Sequence, residues 1–123
     1  MDIDGVIEEV KEAAIEVYDE LGDGRLEDVY EQAMAVEFRE RGIPYKMEVY
    51  KEVFYKGHRV GTAALDFIVD ERLVVELKAT GSLSKTHKAQ TRAYMRETRI
   101  DSGLLVNFPY PADDNPHFEV LKQ

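Results

Sequence analysis

Apolar residues recur at helical spacing over the first third of the chain. They return every three or four positions between residues 4 and 20 and again between residues 25 and 41, which predicts two amphipathic helices. Gly42 followed by Pro44 is a typical end for the second helix. Each helix is therefore expected to bury one side against a common core.

The pattern then changes to alternation of apolar and polar residues, which is typical of half-buried strands. A later segment, residues 102–108, is apolar on both faces, as in a central strand that is covered on both sides. The predicted elements after the second helix are strands at 46–55, 59–69 and 72–79, a helix at 84–99, and strands at 102–108 and 117–121. The order α-α-β-β-β-α-β-(β) predicts an α/β fold with a mixed sheet flanked by helices.

Length and composition predict one soluble globular domain that spans residues 1–123. The absence of cysteine excludes disulfides and thiolate-bound zinc and fits a reducing, cytoplasmic setting. The acidic start of the chain does not resemble a secretory signal. No apolar run approaches the ~20 residues that a membrane-spanning helix needs, so no membrane partner is expected.

The net charge of −9 is unevenly distributed along the chain. Residues 1–40 hold 14 acidic and three basic residues, a net charge of −11, whereas residues 41–123 hold 11 acidic and 13 basic residues, a net charge of +2. The acidic excess therefore belongs to the two N-terminal helices. The remainder can carry a face that binds nucleic acid, although non-specific binding should be weak and salt-sensitive.

Two carboxylates and a lysine are predicted to meet on neighbouring strands. Glu76 and Lys78 are two residues apart, so they share one face of the third strand. A short turn leads back to the second strand and places Asp66 nearly opposite Glu76, at roughly 4.5–5.5 Å if the two strands pair as a hairpin. The same alternation places Leu65 and Phe67 together on the face opposite Asp66.

Paired carboxylates inside an apolar sheet repel each other, so one takes a proton or both share a cation. Oxygen ligands suit a hard divalent ion such as Mg²⁺ or Mn²⁺. Lys78 on the same face can orient or help deprotonate an attacking water and offset the charge of a phosphate. The alternative is a solvated face or a surface salt bridge, which is common for a Glu-x-Lys pair.

A motif at the start of the second helix resembles a known family. Gly24, Glu27 and Tyr30 have the spacing Gly-x-x-Glu-x-x-Tyr, similar to the signature of the GxxExxY protein family, a branch of the PD-(D/E)XK nuclease superfamily. Further similar segments are 33–42, 55–57, 65–69, 75–79, 87–90 with Tyr94, and 103–108. The resemblance implies a restriction-endonuclease-like fold and Mg²⁺- or Mn²⁺-dependent hydrolysis of phosphodiester bonds in nucleic acid, with DNA as the expected partner.

The resemblance also implies roles for individual residues. Asp66 matches the aspartate of the "PD" element, with Leu65 in place of proline, and Glu76 and Lys78 match the (D/E)XK element. Lys78 is then expected to assist the attacking water. The implied metal ligands are Glu27, Asp66, Glu76 and the backbone carbonyl of Leu77. These groups are expected to converge where the sheet meets the second helix.

The third helix is expected to complete the catalytic group and to contact substrate. Gln90 and Tyr94 resemble a Gln-x-x-x-Tyr element of some nuclease branches, and a helical wheel places Gln90 on the side that faces the sheet. There it binds the site or substrate or, alternatively, the backbone. His87 either positions a phosphate or caps the helix. The expected substrate-binding residues are Tyr30, His87, Lys88 and Tyr94.

A stripe of basic residues follows the third helix on the side away from Gln90. The members of this basic stripe are Lys85, Lys88, Arg92, Arg96 and Arg99. The basic stripe either contacts phosphates beside the site or is a solvated face that balances the acidic helices or a second subunit. Three overall interpretations stay open: a nuclease, which can act as a homodimer; a catalytically silent module that binds nucleic acid or a protein; and a subunit of a larger repair or defence complex.

Overall fold

The computed structural model describes residues 1–123 and confirms the predicted order of elements, including the last strand. The helices are α1 (Ile3–Leu21), α2 (Glu27–Glu40) and α3 (Lys85–Thr98), and the strands are β1 (Tyr45–Tyr55), β2 (His58–Val69), β3 (Leu73–Lys78), β4 (Ser102–Asn107) and β5 (His117–Lys122). None of the three helices is long and apolar enough to cross a membrane.

The five strands form one mixed sheet in the order β1-β2-β3-β4-β5. Neighbouring strands pair antiparallel except β3 and β4, which are parallel. A parallel pair needs a crossover connection, and α3 provides it. β3 and β4 are therefore central strands, and nearly all of their residues are buried.

Helices cover the two faces of the sheet unequally. α1 and α2 bury the larger core, in which Tyr30 stacks on Phe108 with ring centroids 4.2 Å apart and Phe38 meets Phe67 edge to face. α3 covers the opposite face and buries Met95 in a smaller cluster. The acidic helices and the helix that carries the basic stripe therefore lie on opposite faces of the sheet.

α3 approaches β4 closely because Gly103 has no side chain. A Cβ at this position would lie 2.7 Å from Met95 Sδ and 3.3 Å from Thr91 Cγ2. Thr91 and Met95 are the fully buried residues of α3. This contact decides which side of α3 faces the sheet, and so where the other α3 side chains lie.

β2 departs from regular strand geometry at Asp66. Pairing with β1 omits Glu48, which has a φ of 53°, and pairing with β3 stops at Phe67 and Val75. Leu65 packs on the α3 face, whereas Phe67 packs on the face covered by α1 and α2. The prediction that Leu65 and Phe67 share a face is therefore wrong, because the break at Asp66 interrupts the alternation. Beyond this break β2 and β3 are unpaired, and we call the opening between them the fork.

Candidate metal and phosphate site

Side chains replace the missing backbone pairing at the fork. The backbone N–H of Asp66 donates to Glu76 Oε2 at 3.3 Å, and the N–H of Leu77 donates to Asp66 Oδ2 at 2.8 Å. The carbonyl of Leu77 points to the same side as its N–H, as in any extended strand, so it also faces the fork. The fork thus brings together Asp66, Glu76 and the backbone of Leu77.

Glu76 is the buried carboxyl of this group, with only 4 % of its surface exposed. Burial, followed by the hydrogen bond and the charge of the Asp66 carboxyl, raises the pKa of Glu76 to about 10. Glu76 Oε1 is buried without any hydrogen-bond partner. A buried carboxyl with an unpaired oxygen, next to a second carboxyl, needs a proton or a cation.

Helix α2 brings further carboxyls to the fork. Burial and a hydrogen bond with Asp66, with added repulsion from Asp66 and Glu48, raise the pKa of Glu31 to about 8. Glu27 lies one turn earlier and its side chain is largely exposed. Neighbouring atoms nevertheless bury part of its carboxyl, and this burial raises the pKa of Glu27. The charge of Lys78 acts to lower the pKa, and the charge of Asp66 acts to raise it.

The three predicted carboxylate ligands do not converge at one point. No three Asp, Glu or His side chains are grouped closely enough to hold a metal ion together. Asp66 contacts Glu76 on β3 and Glu31 on α2, whereas Glu27 acts on Asp66 through charge alone. Of the three predicted carboxylates, the structure therefore brings only Asp66 and Glu76 together, and the metal-ligand set stays a prediction.

Two acidic residues of the fork were not anticipated from the sequence. Glu31 follows Glu27 by four residues, and this spacing places both on the same side of a helix, so a signal for it was present. Glu48 reaches Glu31 from β1, at the position where pairing with Asp66 is omitted. The irregular backbone at Glu48 has no counterpart in the pattern of apolar and polar residues.

Lys78 links the carboxyls to α3. Its ammonium group donates to Gln90 Oε1 at 3.5 Å. Tyr94, one turn after Gln90, is half-buried, and its pKa is raised by burial and by the charges of Glu76 and Asp66. α3 therefore contributes Gln90 and Tyr94 to the region that holds Lys78.

Gln90 does not face the sheet, contrary to the helical-wheel prediction. It is exposed, because the contact of Thr91 and Met95 with Gly103 takes the sheet-facing side of α3. The amide consequently lies at the rim of the fork. It serves as a partner of Lys78 and is not a buried amide that must bind the backbone.

His87 caps α3. The N–H of Ser84 donates to His87 Nδ1 at 3.1 Å, and the N–H of His87 donates to Ser84 Oγ at 3.2 Å, which together form a capping box. Burial and the charge of Lys78 lower the pKa of His87. Of the two roles considered for His87, the hydrogen bonds establish the cap, and the ring lies near enough to Lys78 to sense its charge.

Two expected substrate contacts lie away from the fork. Tyr30 is fully buried, and its hydroxyl donates to the carbonyl of Gly22 at 2.6 Å, so the ring stabilises the α1–α2 turn and cannot reach a substrate. Lys88 forms an ion pair with Glu119 of β5 at 3.4 Å. In the sheet, Leu105 of β4 is paired with both Glu76 and Glu119, so Glu119 lies two strands from Glu76. The prediction of substrate contact is therefore wrong for Tyr30 and has no structural support for Lys88.

A buried amide holds the chain that follows Lys78. Asn107 Nδ2 donates to the carbonyl of Thr80 at 2.9 Å, and the N–H of Thr80 donates to Asn107 Oδ1 at 3.0 Å. Asn107 Nδ2 also lies 3.3 Å from Nδ1 of His117, whose Nε2 is 2.9 Å from an Asp113 carboxylate oxygen. This network fixes the end of β3, from which Lys78 projects into the fork.

The basic stripe makes no salt bridge with the acidic helices. Lys88 is its only ion-paired member, and the partner belongs to β5. The stripe therefore does not balance the charge of α1 and α2 within one molecule. The contact of Lys88 with Glu119 orients this flank of α3 toward the β5 edge, away from Gln90.

The donor chemistry of the fork fits a hard divalent cation. Asp66 and Glu76 offer carboxylate oxygens, the donors that Mg²⁺ and Mn²⁺ prefer. The unpaired Glu76 Oε1 is a buried atom that a cation would satisfy. A positive charge at this position would also replace the proton that burial otherwise imposes on Glu76.

The sheet is mixed and five-stranded, and helices flank it. One strand carries an Asp, the next carries Glu-x-Lys, and a Glu-bearing helix lies beside them. This arrangement defines a nuclease-like α/β protein. The sequence model of the PD-(D/E)XK nuclease superfamily matches residues 4–118, and the chain belongs to that superfamily. No curated protein matches the chain at a significant level.

Solved structures share the fold at low sequence identity. The crystal structure of SSO0001 is 19 % identical with a TM-score of 0.60, over 78 % of this chain and 49 % of that chain, so the present chain spans about half the length of SSO0001. The alkaline exonuclease LHK-Exo from Laribacter hongkongensis is 12 % identical with a TM-score of 0.53, over 94 % of this chain and 82 % of that chain. Both likenesses concern the fold.

Proposed function

We propose that this chain is a Mg²⁺- or Mn²⁺-dependent nuclease of the GxxExxY branch that hydrolyses phosphodiester bonds in nucleic acid, with DNA as the expected substrate. The observation that carries the proposal is the pairing of Asp66 with Glu76 in the fork, with one Glu76 oxygen unsatisfied. Superfamily membership supports it, because the Asp and Glu-x-Lys elements lie within the matched residues.

In this proposal Asp66 and Glu76 hold the ion, and the Leu77 carbonyl and Glu27 complete its ligands. Glu27 is exposed in the first turn of α2, so its side chain is free to turn toward the fork. When bound, the ion supplies positive charge that activates a water and offsets the charge of the phosphate. Glu31, which contacts Asp66, is the alternative ligand from α2.

Residues beside the carboxyls support the reaction through charge and hydrogen bonding. The Lys78 ammonium group, positioned by Gln90, offsets the negative charge that develops on the phosphate. The raised pKa of Tyr94 keeps its hydroxyl protonated, so it can donate a hydrogen bond to a phosphate oxygen. Neither role requires a change in the backbone of α3.

Cleavage of labelled single-stranded, double-stranded and branched DNA in Mg²⁺ or Mn²⁺ tests the proposal. We expect Asp66→Asn and Lys78→Ala to lower the rate by ~10²-fold or more, since the first weakens a ligand of the ion and the second removes a positive charge at the reacting phosphate. Lys85→Ala, an exposed lysine of α3 outside the fork, is the matched control and should keep the wild-type rate. Equal residual cleavage in all four proteins, or none by the wild type on any substrate, would contradict the proposal.

The lack of a three-ligand cluster favours a second candidate function, a catalytically silent module that binds nucleic acid or a protein. On that view, substitution of Asp66 changes stability and leaves binding intact. A wild-type protein that binds labelled oligonucleotides equally well in EDTA and in Mn²⁺, and never cleaves them, would support this candidate over the nuclease.

A further inference from the structure

The imidazole ring of His87 has one nitrogen with a fixed hydrogen-bond partner and one nitrogen with none. The backbone N–H of Ser84 donates to Nδ1, so Nδ1 accepts and the neutral ring carries its proton on Nε2. Nε2 makes no hydrogen bond to another group of the chain, and it is not a buried atom. Because the ring is partly exposed, the Nε2–H group is open to a ligand.

The ring of His87 lies on the flank of α3 that borders the fork. His87, Gln90 and Tyr94 are spaced by three and four residues, which places them in one row along the helix. Gln90 accepts a hydrogen bond from Lys78, and the charges of the paired carboxyls act on Tyr94. His87 is three residues before Gln90, about 4.5 Å along the helix axis. It therefore extends this row by one turn beyond the contact with Lys78.

The charge near the ring suits an anion. Burial, followed by the charge of Lys78, lowers the pKa of His87, so the ring is largely neutral at pH 7. Lys78 places a positive charge near this neutral donor in a chain whose net charge is −9. A phosphate oxygen can accept hydrogen bonds from an imidazole N–H and from an ammonium group together.

The helix cap alone does not require a histidine at position 87. The residue at this position of a capping box is usually Glu or Gln, and a carboxylate there would also gain from the helix dipole. A carboxylate can accept the Ser84 N–H as His87 does, but it has no donor. Imidazole accepts with one nitrogen and donates with the other. The cap therefore explains Nδ1 and leaves Nε2 available.

We propose that the Nε2–H of His87 donates to a phosphate oxygen of the nucleic acid that the fork holds, beside Lys78, while the capping bonds fix the orientation of the ring. The inference rests on the proposed function. The substrate backbone then follows the flank of α3 from Tyr94 to His87, on the side of the helix away from the basic stripe. His87 binds substrate in this arrangement and transfers no proton.

Two substitutions that keep the cap but change the donor test the inference. His87→Gln retains an acceptor for the Ser84 N–H and a neutral N–H donor, so we expect it to bind DNA within about threefold of wild type. His87→Glu retains the acceptor but places a negative charge where the phosphate would lie, so we expect at least about tenfold weaker binding. Fluorescence anisotropy with fluorescein-labelled DNA, single-stranded or duplex, in Ca²⁺ in place of Mg²⁺ measures both.

Two controls separate the loss of the donor from loss of the cap and from added charge. Ser84→Ala removes the hydroxyl that accepts from His87 but keeps the backbone N–H that orients the ring, so it should lower thermal stability and keep the affinity within about twofold of wild type. Ala89→Glu adds the same charge at an exposed position of α3 and should weaken binding by less than about threefold. Circular dichroism melts establish that each variant is folded.

Equal weakening of binding by His87→Glu and Ala89→Glu would overturn the inference. So would His87→Gln or Ser84→Ala binding as weakly as His87→Glu, or a wild type that binds neither DNA. The two proposals fail separately. A wild type that binds DNA but never cleaves it in Mg²⁺ or Mn²⁺, and whose binding is lost only in His87→Glu, would reject the nuclease and support the phosphate contact.

Discussion

Glu76 combines two properties that rarely occur in one core residue: it is buried, and one of its oxygens has no partner. Its backbone belongs to a central strand of the sheet, in which both neighbouring residues are fully buried. A substitution that removed the carboxyl would relieve this cost. The proposed metal site gives this carboxyl a role that stability does not.

The raised pKa of Glu76 makes metal-free stability depend on pH. Between its ordinary pKa of 4.5 and the folded value of about 10, the folded protein holds a proton that the unfolded chain has released. The free energy of unfolding should therefore fall as pH rises from 5 to 9, with a contribution of up to ~1.4 kcal/mol per pH unit. Urea unfolding in EDTA at several pH values measures it.

Glu76→Gln is the control for this pH dependence. It keeps the shape of the side chain and removes its titration, so it should stabilise the metal-free protein and flatten the slope relative to the wild type. Glu31 titrates with the same sign, so the difference between the two proteins is the quantity to compare. Parallel slopes in wild type and variant would show that Glu76 ionises normally in the folded protein.

Tyr30 belongs to the Gly-x-x-Glu-x-x-Tyr motif, but we expect it to stabilise the fold and not to act in the site. Tyr30→Ala should cost about 3–5 kcal/mol because it removes a buried ring stacked on Phe108. Tyr30→Phe should cost about 1–2 kcal/mol for the lost hydrogen bond to Gly22. Denaturant unfolding measures both. Cleavage by folded Tyr30→Phe should stay within about twofold of wild type, and a large loss of rate at unchanged stability would contradict the structural role.

At the scale of elements, helical spacing, alternation and the continuous apolar segment at 102–108 were sufficient to predict every helix and strand. The hairpin between β2 and β3 was predicted with its register to within one residue, because a short turn between two alternating segments leaves few pairings. This register is what allowed Asp66 and Glu76 to be placed together. The pattern of apolar and polar residues therefore predicted the fold and the Asp66–Glu76 part of the site.

The remainder of the site depends on contacts that local pattern does not encode. The break at Asp66 reverses the face of Leu65, and it lies opposite the irregular Glu48 of β1, where the pairing is omitted. The orientation of α3 depends on Gly103, eight residues after Met95, which gives Thr91 the buried position expected for Gln90. Such effects are visible only once elements are packed.

Asn107 holds the chain that follows β3 through two hydrogen bonds to Thr80. Asn107→Ala leaves the N–H and C=O of Thr80 without partners and should cost about 1–3 kcal/mol of stability. Because these bonds fix the end of β3, we also expect a lower rate of cleavage from a displaced Lys78. Thermal unfolding and cleavage assays check this. A variant that loses stability but keeps the wild-type rate would show that Asn107 does not position Lys78.

At the scale of the whole molecule, charge is segregated by the sheet. The acidic helices lie on one face, and the basic stripe lies on the other, on the flank of α3 that Lys88 ties to β5. The fork opens between β2 and β3, toward the flank of α3 that carries Gln90. A strand bound in the fork therefore need not contact the basic stripe.

A double substitution in the basic stripe tests this arrangement. We expect Arg92→Ala with Arg96→Ala to change the affinity for a short oligonucleotide by less than about threefold, since both side chains are exposed on the flank of α3 away from Gln90 and salt screens exposed charges. Lys78→Ala, in the fork, is the comparison and should weaken binding more. Anisotropy titrations at 50 and 150 mM salt measure both, and the reverse ranking would place the nucleic acid on α3.

Calorimetric titration of Mn²⁺ into wild type, Asp66→Asn and Glu76→Gln is the most direct test of the metal site. We expect the wild type to bind Mn²⁺ and to release a proton from Glu76, so that the heat at pH 7 depends on the ionisation enthalpy of the buffer. Both variants should bind at least about tenfold more weakly, as expected when a ligand is lost. A wild type that binds no Mn²⁺, or variants that bind Mn²⁺ as tightly as the wild type does, would contradict the proposed metal site at Asp66 and Glu76.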